Sequence, residues 1–268
     1  MNRSRYFWAA FLILLGGLLL ANNLGYLAVE IWNLFWPLVL ILAGIWFLWG
    51  SLRAPDPADV EHRSIDLQGA EGAEVRIKHG AGRLQVDSSA APGTLLSGSF
   101  RGGLHASVQA SGSQLQVQLK PETASLPGLF MPWNWTSGQG LSWQVGFNPD
   151  VELILNLETG AGEAHLNLGE LQVRELNLKT GASASEIYMP QAAGQTRARI
   201  EAGAAAVEVH IPEGVAARIR AQGGLASVEV NQDRFTREND VYQSPGYQEA
   251  EHRVELEIET GLGAIEVY

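Results

Sequence analysis

The chain has 268 residues, of which 18% are charged, with a formal net charge of −11 and no cysteine. This length accommodates a membrane anchor and one domain of ordinary size. The absence of cysteine excludes disulfide scaffolds and zinc–thiolate sites. The negative charge, with no dense block of lysine or arginine, argues against nucleic acid as the main partner because phosphate would be repelled.

The first fifty residues contain two apolar runs. The run at 31–50 carries no charge and is long enough to cross about 30 Å of hydrocarbon. Tryptophans lie near both of its ends, as in the aromatic belts of membrane interfaces. The shorter run, at about 6–21, follows two arginines and also fits a signal peptide, although the residues after it form a poor cleavage site. We predict a transmembrane hairpin at about 6–21 and 31–50, with the lipid bilayer as a partner.

Charges flanking the hairpin predict its orientation. Arg3 and Arg5 precede the first run and Arg53 follows the second, whereas the loop between the runs has only Glu30. The positive-inside rule then places both ends, and the domain that follows, in the cytoplasm. Residues 51–63 contain two prolines and a cluster of charges, which predicts an extended linker.

Beyond residue 63 the sequence repeats one pattern. A glycine is followed by small residues, and apolar residues come four and six places after the glycine, except that Ser185 takes the first of these positions after Gly181. The copies begin at Gly80, Gly160, Gly181, Gly203, Gly224 and Gly261. From Gly160 to Gly224 the steps are 21, 22 and 21 residues, and such a period is typical of stacked repeats. We therefore predict an all-β fold, with a β-solenoid domain over 64–268.

Between the glycines, apolar and polar residues alternate with period two, as at 151–157 and 254–259. This alternation predicts short strands and would also fit an antiparallel sandwich. Equal spacing of the copies favours the solenoid. Each glycine is predicted to form a corner, where a positive φ and the lack of a side chain allow neighbouring coils to approach to about 4.8 Å.

The fifth position after each glycine is predicted to point outward. Its occupants are His165, Glu186, Glu208, Glu229 and Glu266. If the coils stack in sequence order, Glu186, Glu208 and Glu229 form a ladder of like charges about 5 Å apart, which is unfavourable.

Two interpretations of this acidic face remain open. It is a surface for cations or for a basic protein, or it is a solvated face that nearby arginines neutralise. The arginines considered are Arg199, Arg218 and Arg220. Catalysis is disfavoured, because paired catalytic carboxylates need different environments and these positions are equivalent. We predict no catalytic residue, no cofactor and no metal site.

Residues 121–150 interrupt the repeat with a tryptophan-rich insert containing Trp133, Trp135 and Trp143. One hypothesis is an aromatic surface that contacts a protein partner or the membrane. The alternative is a cap that buries these rings over the open end of the solenoid, since exposed ends favour aggregation.

The N-terminal motifs NNLGYL (22–27) and FWPLVLILAGIWFL (35–48) resemble the LiaI/LiaF-type transmembrane region of bacterial envelope proteins. The stretch GLSWQVGFNPDVELILNLETGAG (140–162) and the repeated corners are similar to toast-rack, adhesin-like β-solenoid domains. The resemblance implies a role in the envelope stress response, where LiaF-like proteins hold a sensor histidine kinase in check. It provides no catalytic residues.

Together these features predict a membrane-anchored, non-enzymatic scaffold or regulator that contacts a protein partner, with a sensor kinase as the partner that the resemblance implies. One alternative is an exported adhesin-like or envelope-binding module, which requires the opposite orientation in the membrane. The other is a β-helix enzyme that acts on polysaccharide.

Overall fold

A computed structural model describes residues 60–122 and 141–268, together with the single residue Ile41. The described strands belong to the larger of two units into which the chain divides, residues 54–268. Neither 60–122 nor 141–268 contains a helix. Within the described part of the chain, no helix is long and apolar enough to cross a bilayer. The predicted hairpin at 6–21 and 31–50 lies outside the described residues, Ile41 excepted.

The strands of the described ranges are β1 (Val60–Asp66), β2 (Gly72–Asp87), β3 (Thr94–Arg101), β4 (His105–Ser111), β5 (Gln114–Lys120), β6 (Leu141–Phe147), β7 (Glu152–Asn167), β8 (Gln172–Tyr188), β9 (Gln195–His210), β10 (Ala216–Val230), β11 (Thr236–Glu238), β12 (Val241–Gln243) and β13 (Arg253–Val267). The first of them, β1, begins inside the stretch 51–63 that was predicted to be a linker. All thirteen belong to one sheet system.

Six long strands form a parallel stack in the order β2, β7, β8, β9, β13, β10. Each stacked strand contains one repeat glycine near its middle. We call the residues before that glycine the first arm and those after it the second arm. Both arms alternate buried and exposed side chains, so that in β7 Leu155 and Leu157 on the first arm and Leu166 on the second are fully buried. The all-β, solenoid-like architecture predicted from the repeat is confirmed.

The order of the last strands differs from the sequence order. The copy that begins at Gly261 lies between the copies that begin at Gly203 and Gly224, because β13 pairs with β9 on one side and β10 on the other. The predicted ladder in which Glu208 is followed directly by Glu229 is therefore wrong. Glu266 stands between them.

Charges on the first arm explain why β13 is inserted. If β10 lay directly beside β9 with the glycines aligned, Arg218 would face Arg197 and Arg220 would face Arg199. Like charges directly opposite one another are destabilising. In the observed order, Glu255 of β13 lies between the first two arginines and Glu257 between the second two. These two rows of the first arm then alternate in sign, whereas in the next row Glu259 faces Glu201.

The repeat glycines are required by close approach and not by backbone conformation. A Cβ on Gly181 would lie 2.4 Å from the carbonyl oxygen of Gly160, and one on Gly203 would lie 2.7 Å from that of Gly181. The predicted positive φ is wrong for these positions. Positive φ occurs two residues after the repeat glycine, at Gly162 (127°) and Gly263 (125°).

Different elements cover the two ends of the stack. At the β2 end, β5 pairs with the first arm of β2 and β6 pairs with the second, and β3 and β1 continue the sheet from β6. At the β10 end, Phe235 is buried, and β12 pairs with the first arm of β10 while β11 pairs with β12. The buried interior therefore runs continuously between the two arms from β2 to β10.

Trp143 of the tryptophan-rich insert lies in the interior and not on a surface. It is fully buried in β6, where its ring packs edge-on against His79 and Phe100 with centroids 5.3 Å apart in both pairs. The last residues of the insert thus complete the sheet next to β2. Trp133 and Trp135 lie outside the described residues.

Candidate functional site

The outer face of the second arm carries two columns of side chains that run along the stack. The fifth position after each repeat glycine gives the acidic column, defined here as Glu186, Glu208, Glu266 and Glu229 in stacking order. The seventh position gives the aromatic column, defined as Tyr188, His210 and Tyr268. Both positions point outward because the fourth and sixth positions fill the interior. The two columns form one flat wall.

Like charges follow one another along the acidic column. Glu186 faces Glu208, Glu208 faces Glu266, and Glu266 faces Glu229 on adjacent strands. Adjacent strands are about 4.8 Å apart, which is close enough for unfavourable repulsion between ionised carboxylates. This repulsion is a cost that the fold tolerates.

Arginines do not neutralise the acidic column. Arg199 and Arg220 lie on the first arm, where each places a guanidinium nitrogen 3.8–3.9 Å from a carboxylate oxygen of Glu257. Arg218 lies on the same arm, in register with Glu255. Among the described residues, no lysine or arginine forms an ion pair with the acidic column. The hypothesis that these three arginines neutralise the face is wrong.

Histidines and tyrosines contact the acidic column instead. His165 Nδ1 lies 3.0 Å from Glu186 Oε2, and the Tyr188 hydroxyl donates to Glu186 Oε1 at 2.8 Å. These two contacts, the tyrosine's first, hold the pKa of the Glu186 carboxyl below its usual range. Glu186 is therefore ionised at neutral pH.

His210 links the two columns. Its Nε2 lies 3.1 Å from Glu208 Oε1, at ion-pair distance, but the two atoms are not aligned for a hydrogen bond. Its ring stacks between Tyr188, at a centroid distance of 4.4 Å, and Tyr268, at 5.3 Å. The Tyr268 hydroxyl in turn donates to Glu266. The aromatic column thus hydrogen-bonds Glu186 and Glu266 and lies at ion-pair distance from Glu208.

A shallow trough of about 200 Å³ runs beside the acidic column. Its floor is formed by small side chains at the third position after the glycine, Ala184, Ala206 and Ala264, and its wall by carboxylates. Within 60–122 and 141–268 there is no group of three or more histidine, aspartate or glutamate side chains placed to hold a metal ion. The trough offers negative charge and hydrogen-bond acceptors to a ligand that approaches from solvent.

The sequence matches two known families. The N-terminal domain of toast_rack, DUF2154, matches residues 54–210, which is more than half of the chain, and the LiaI-LiaF-like transmembrane region matches residues 6–48. The chain belongs to the toast-rack family. The second match indicates association with a membrane. No curated protein matches the chain.

Solved structures share the toast-rack fold. A candidate cell adhesion protein from Clostridium sporogenes is 21% identical, with a TM-score of 0.69 over 78% of this chain and 97% of that one. A candidate adhesin from Bacteroides fragilis is 10% identical, with a TM-score of 0.29, over 81% of this chain and 100% of that one. At 21% identity, the first supports the fold and nothing beyond it.

The residues predicted to form a partner surface therefore do not lie together in the toast-rack domain. Glu186, Glu208 and Glu229 share one exposed wall, whereas Trp143 is buried. The prediction omitted the aromatic column. The sequence contains a signal for this column. The glutamates occupy the fifth position after the repeat glycine, and in three of the copies the seventh position, on the same face of the strand, is Tyr188, His210 or Tyr268.

Proposed function

We propose that this toast-rack protein is a membrane-anchored, non-enzymatic scaffold or regulator of the bacterial cell envelope that binds a protein partner through the wall of the second arm. The observation that carries the proposal is the acidic column without lysine or arginine partners among the described residues. A partner that presents lysine or arginine at about 5 Å spacing would relieve the repulsion between these carboxylates.

The geometry of the wall favours binding over catalysis. A glycosidase needs two carboxyl groups in different environments, one of them with a raised pKa. Here the carboxylates occupy equivalent positions on neighbouring strands, and the pKa of Glu186 is lowered by the Tyr188 hydroxyl. A row of equivalent carboxylates is suited to electrostatic recognition of a basic surface.

The placement of the domain belongs to the same proposal. Arg3, Arg5 and Arg53 flank the predicted hairpin and favour a cytoplasmic domain. In that compartment the resemblance to LiaF-like proteins points to a sensor histidine kinase as partner. An alkaline phosphatase fusion after Tyr268 tests this placement: we expect no phosphatase activity. An active fusion would favour the adhesin-like alternative, in which the wall faces the outside of the cell.

Partner binding is tested by crosslinking in native membranes with two double variants of equal charge change. Glu208→Lys with Glu229→Lys reverses two charges of the acidic column. Glu249→Lys with Glu251→Lys reverses two exposed charges on the loop between β12 and β13. We expect the first variant to lose a crosslinked species that the wild type and the second variant retain.

The wild-type crosslink should also weaken as the ionic strength rises, because the interaction depends on exposed charges. If both double variants retained the same crosslinked species, the wall would not be the binding surface. Equal protein levels in the membrane must be checked for both variants, so that a loss of crosslinking is not a loss of folded protein.

A further inference from the structure

The stack ends on a strand that is covered along only half of its length. β12 pairs with the first arm of β10 at Arg218 and Ile219. In the second arm, Leu225–Val230 pairs with β13 on one side. Among the described residues, no strand pairs with its other side. An uncovered edge of this kind is a template for another strand.

The free edge presents its backbone groups at alternate residues. The Asn231 N–H donates to the carbonyl of Val267 in β13 at 2.9 Å. Register with β13 is unbroken from Leu225 to Val230, so the direction of the peptide groups alternates with period two. The N–H and C=O groups of Ala226, Val228 and Val230 therefore point away from β13, toward the open side.

Side chains at this end also differ from those of the inner strands. Val228 is half-buried, whereas Val207 and Ile265 at the same position are buried. The residue after the repeat glycine is Leu225 here and Leu262 in the neighbouring strand, and these side chains are 81% and 50% exposed. The four other strands of the stack have alanine at this position, at 81, 161, 182 and 204. The edge is thus apolar as well as unpaired.

We propose that the second arm of β10 pairs with the second arm of β10 in another copy of this chain, antiparallel, about a twofold axis at Ser227. In this register the two half-strands overlap from Gly224 to Val230. Val228 lies opposite Ala226 of the other copy, so interior positions meet interior positions. The two sheets then continue as one across the interface, which is isologous.

Charge and hydrogen bonding both suit a second copy. Glu229 lies opposite Leu225 of the other copy, so no two carboxylates face each other directly. Ala226 and Val228 form the hydrogen-bonded pairs of the new ladder, because their backbone groups point outward. Ser227 then faces its own equivalent as a non-hydrogen-bonded pair, at a Cα–Cα distance of about 4.5 Å.

This contact can be tested with a single cysteine, because the chain has none of its own. At a Cα–Cα distance of about 4.5 Å, two cysteines can form a disulfide without backbone movement. We expect the full-length Ser227→Cys variant in native membranes to double its apparent mass under mild oxidation, and to lose that species on reduction. The matched control is Ser107→Cys on β4, an exposed strand at the opposite end of the stack.

A second variant distinguishes a disulfide that forms between paired strands of two copies from one that forms when two copies meet at random. Val228→Pro removes an N–H that points to the open side, so it leaves the β10–β13 ladder intact while blocking a new one. We expect Ser227→Cys with Val228→Pro to lose the crosslinked dimer while still unfolding cooperatively, because Val228 is only partly buried against the core. A dimer that forms equally well from Ser107→Cys, or no dimer from Ser227→Cys, would overturn the proposal. A crosslink from Ser227→Cys to a different protein would overturn it as well and identify another occupant.

Discussion

Both arms of the stack carry carboxylates on their outer faces, but the surroundings of these carboxylates differ. On the first arm, arginines of β9 and β10 alternate with glutamates of β13, and the ion pairs have N–O distances such as 3.5 Å between Arg197 and Glu255. On the second arm, the glutamates of β9, β13 and β10 follow one another without interruption. Two rows of charge on the first arm favour the strand order, whereas the acidic column has no lysine or arginine partner among the described residues, which is why we propose that it binds an external partner.

This contrast gives a physical criterion for finding function on a repetitive surface. Surface ion pairs each contribute little, but two rows of alternating charge distinguish one strand order from another. A column of like charge contributes nothing favourable to the fold. The acidic column lies on the same strands as these alternating rows and lacks their compensation. This contrast is the reason for assigning it to binding.

The largest expected effect comes from the corner that both arms share. Gly181→Ala places a Cβ against the Gly160 carbonyl, and since backbone cannot move aside as a flexible side chain can, we expect the free energy of unfolding to fall by about 3 kcal/mol. Chemical denaturation of the purified chain measures this. Gly214→Ala is the control, because a Cβ there meets no atom within 4 Å. Equal stability of the two variants would contradict the close-approach explanation.

Much of this geometry could be predicted from the sequence. The repeat glycines, the period-two strands and the outward position of Glu186 all follow from local periodicity. The position of β13 could not be read in this way, because it depends on pairing between Glu257 and arginines 37 or more residues away in sequence. The burial of Trp143 also depends on a distant strand, β2, and tryptophan content alone does not distinguish a core ring from a surface ring.

The second expected effect concerns a buried histidine at the corner of the first strand of the stack. His79 occupies the position held by Thr159 and Thr180 in the next two strands, and burial lowers its pKa to about 4. The unfolded chain binds a proton at this histidine below about pH 6.5, while the folded chain does not until about pH 4. Stability is therefore lost as the pH falls through this window, by up to about 3 kcal/mol at its lower end.

The variant His79→Phe should remove that part of the pH dependence. Phenylalanine keeps a ring against Trp143 and does not titrate. We expect the unfolding temperature of the variant to fall less between pH 6.5 and pH 4.5 than that of the wild type. Carboxylates such as Glu186 contribute equally in both proteins, so the difference isolates His79. If the unfolding temperatures of both proteins fell equally over this pH range, His79 would not have a lowered pKa in the folded state.

The third prediction compares the two arms directly, within one strand. Glu257→Lys on the first arm places a lysine between Arg199 and Arg220, and we expect the free energy of unfolding to fall by about 1–2 kcal/mol. Glu266→Lys on the second arm places a lysine between Glu208 and Glu229, and we expect a gain of about 0.5–1 kcal/mol. Both are measured by denaturant unfolding at low salt. Changes of the same sign would contradict the assignment of the two arms to fold and to binding.

The smallest expected effect is local to the end of the acidic column. The Tyr268 hydroxyl donates to Glu266, and this bond, with the nearby charges of Glu266, Glu208 and Glu229, raises the pKa of Tyr268 to about 12. Glu266→Gln removes the main cause, so we expect the Tyr268 phenol to ionise at lower pH in that variant. Ultraviolet titration of tyrosinate, with Tyr268→Phe as the reference that lacks this group, measures the change. If Glu266→Gln leaves the titration unaltered, the carboxylates are not concentrating negative charge at this wall, and the electrostatic basis for binding a basic partner there is lost.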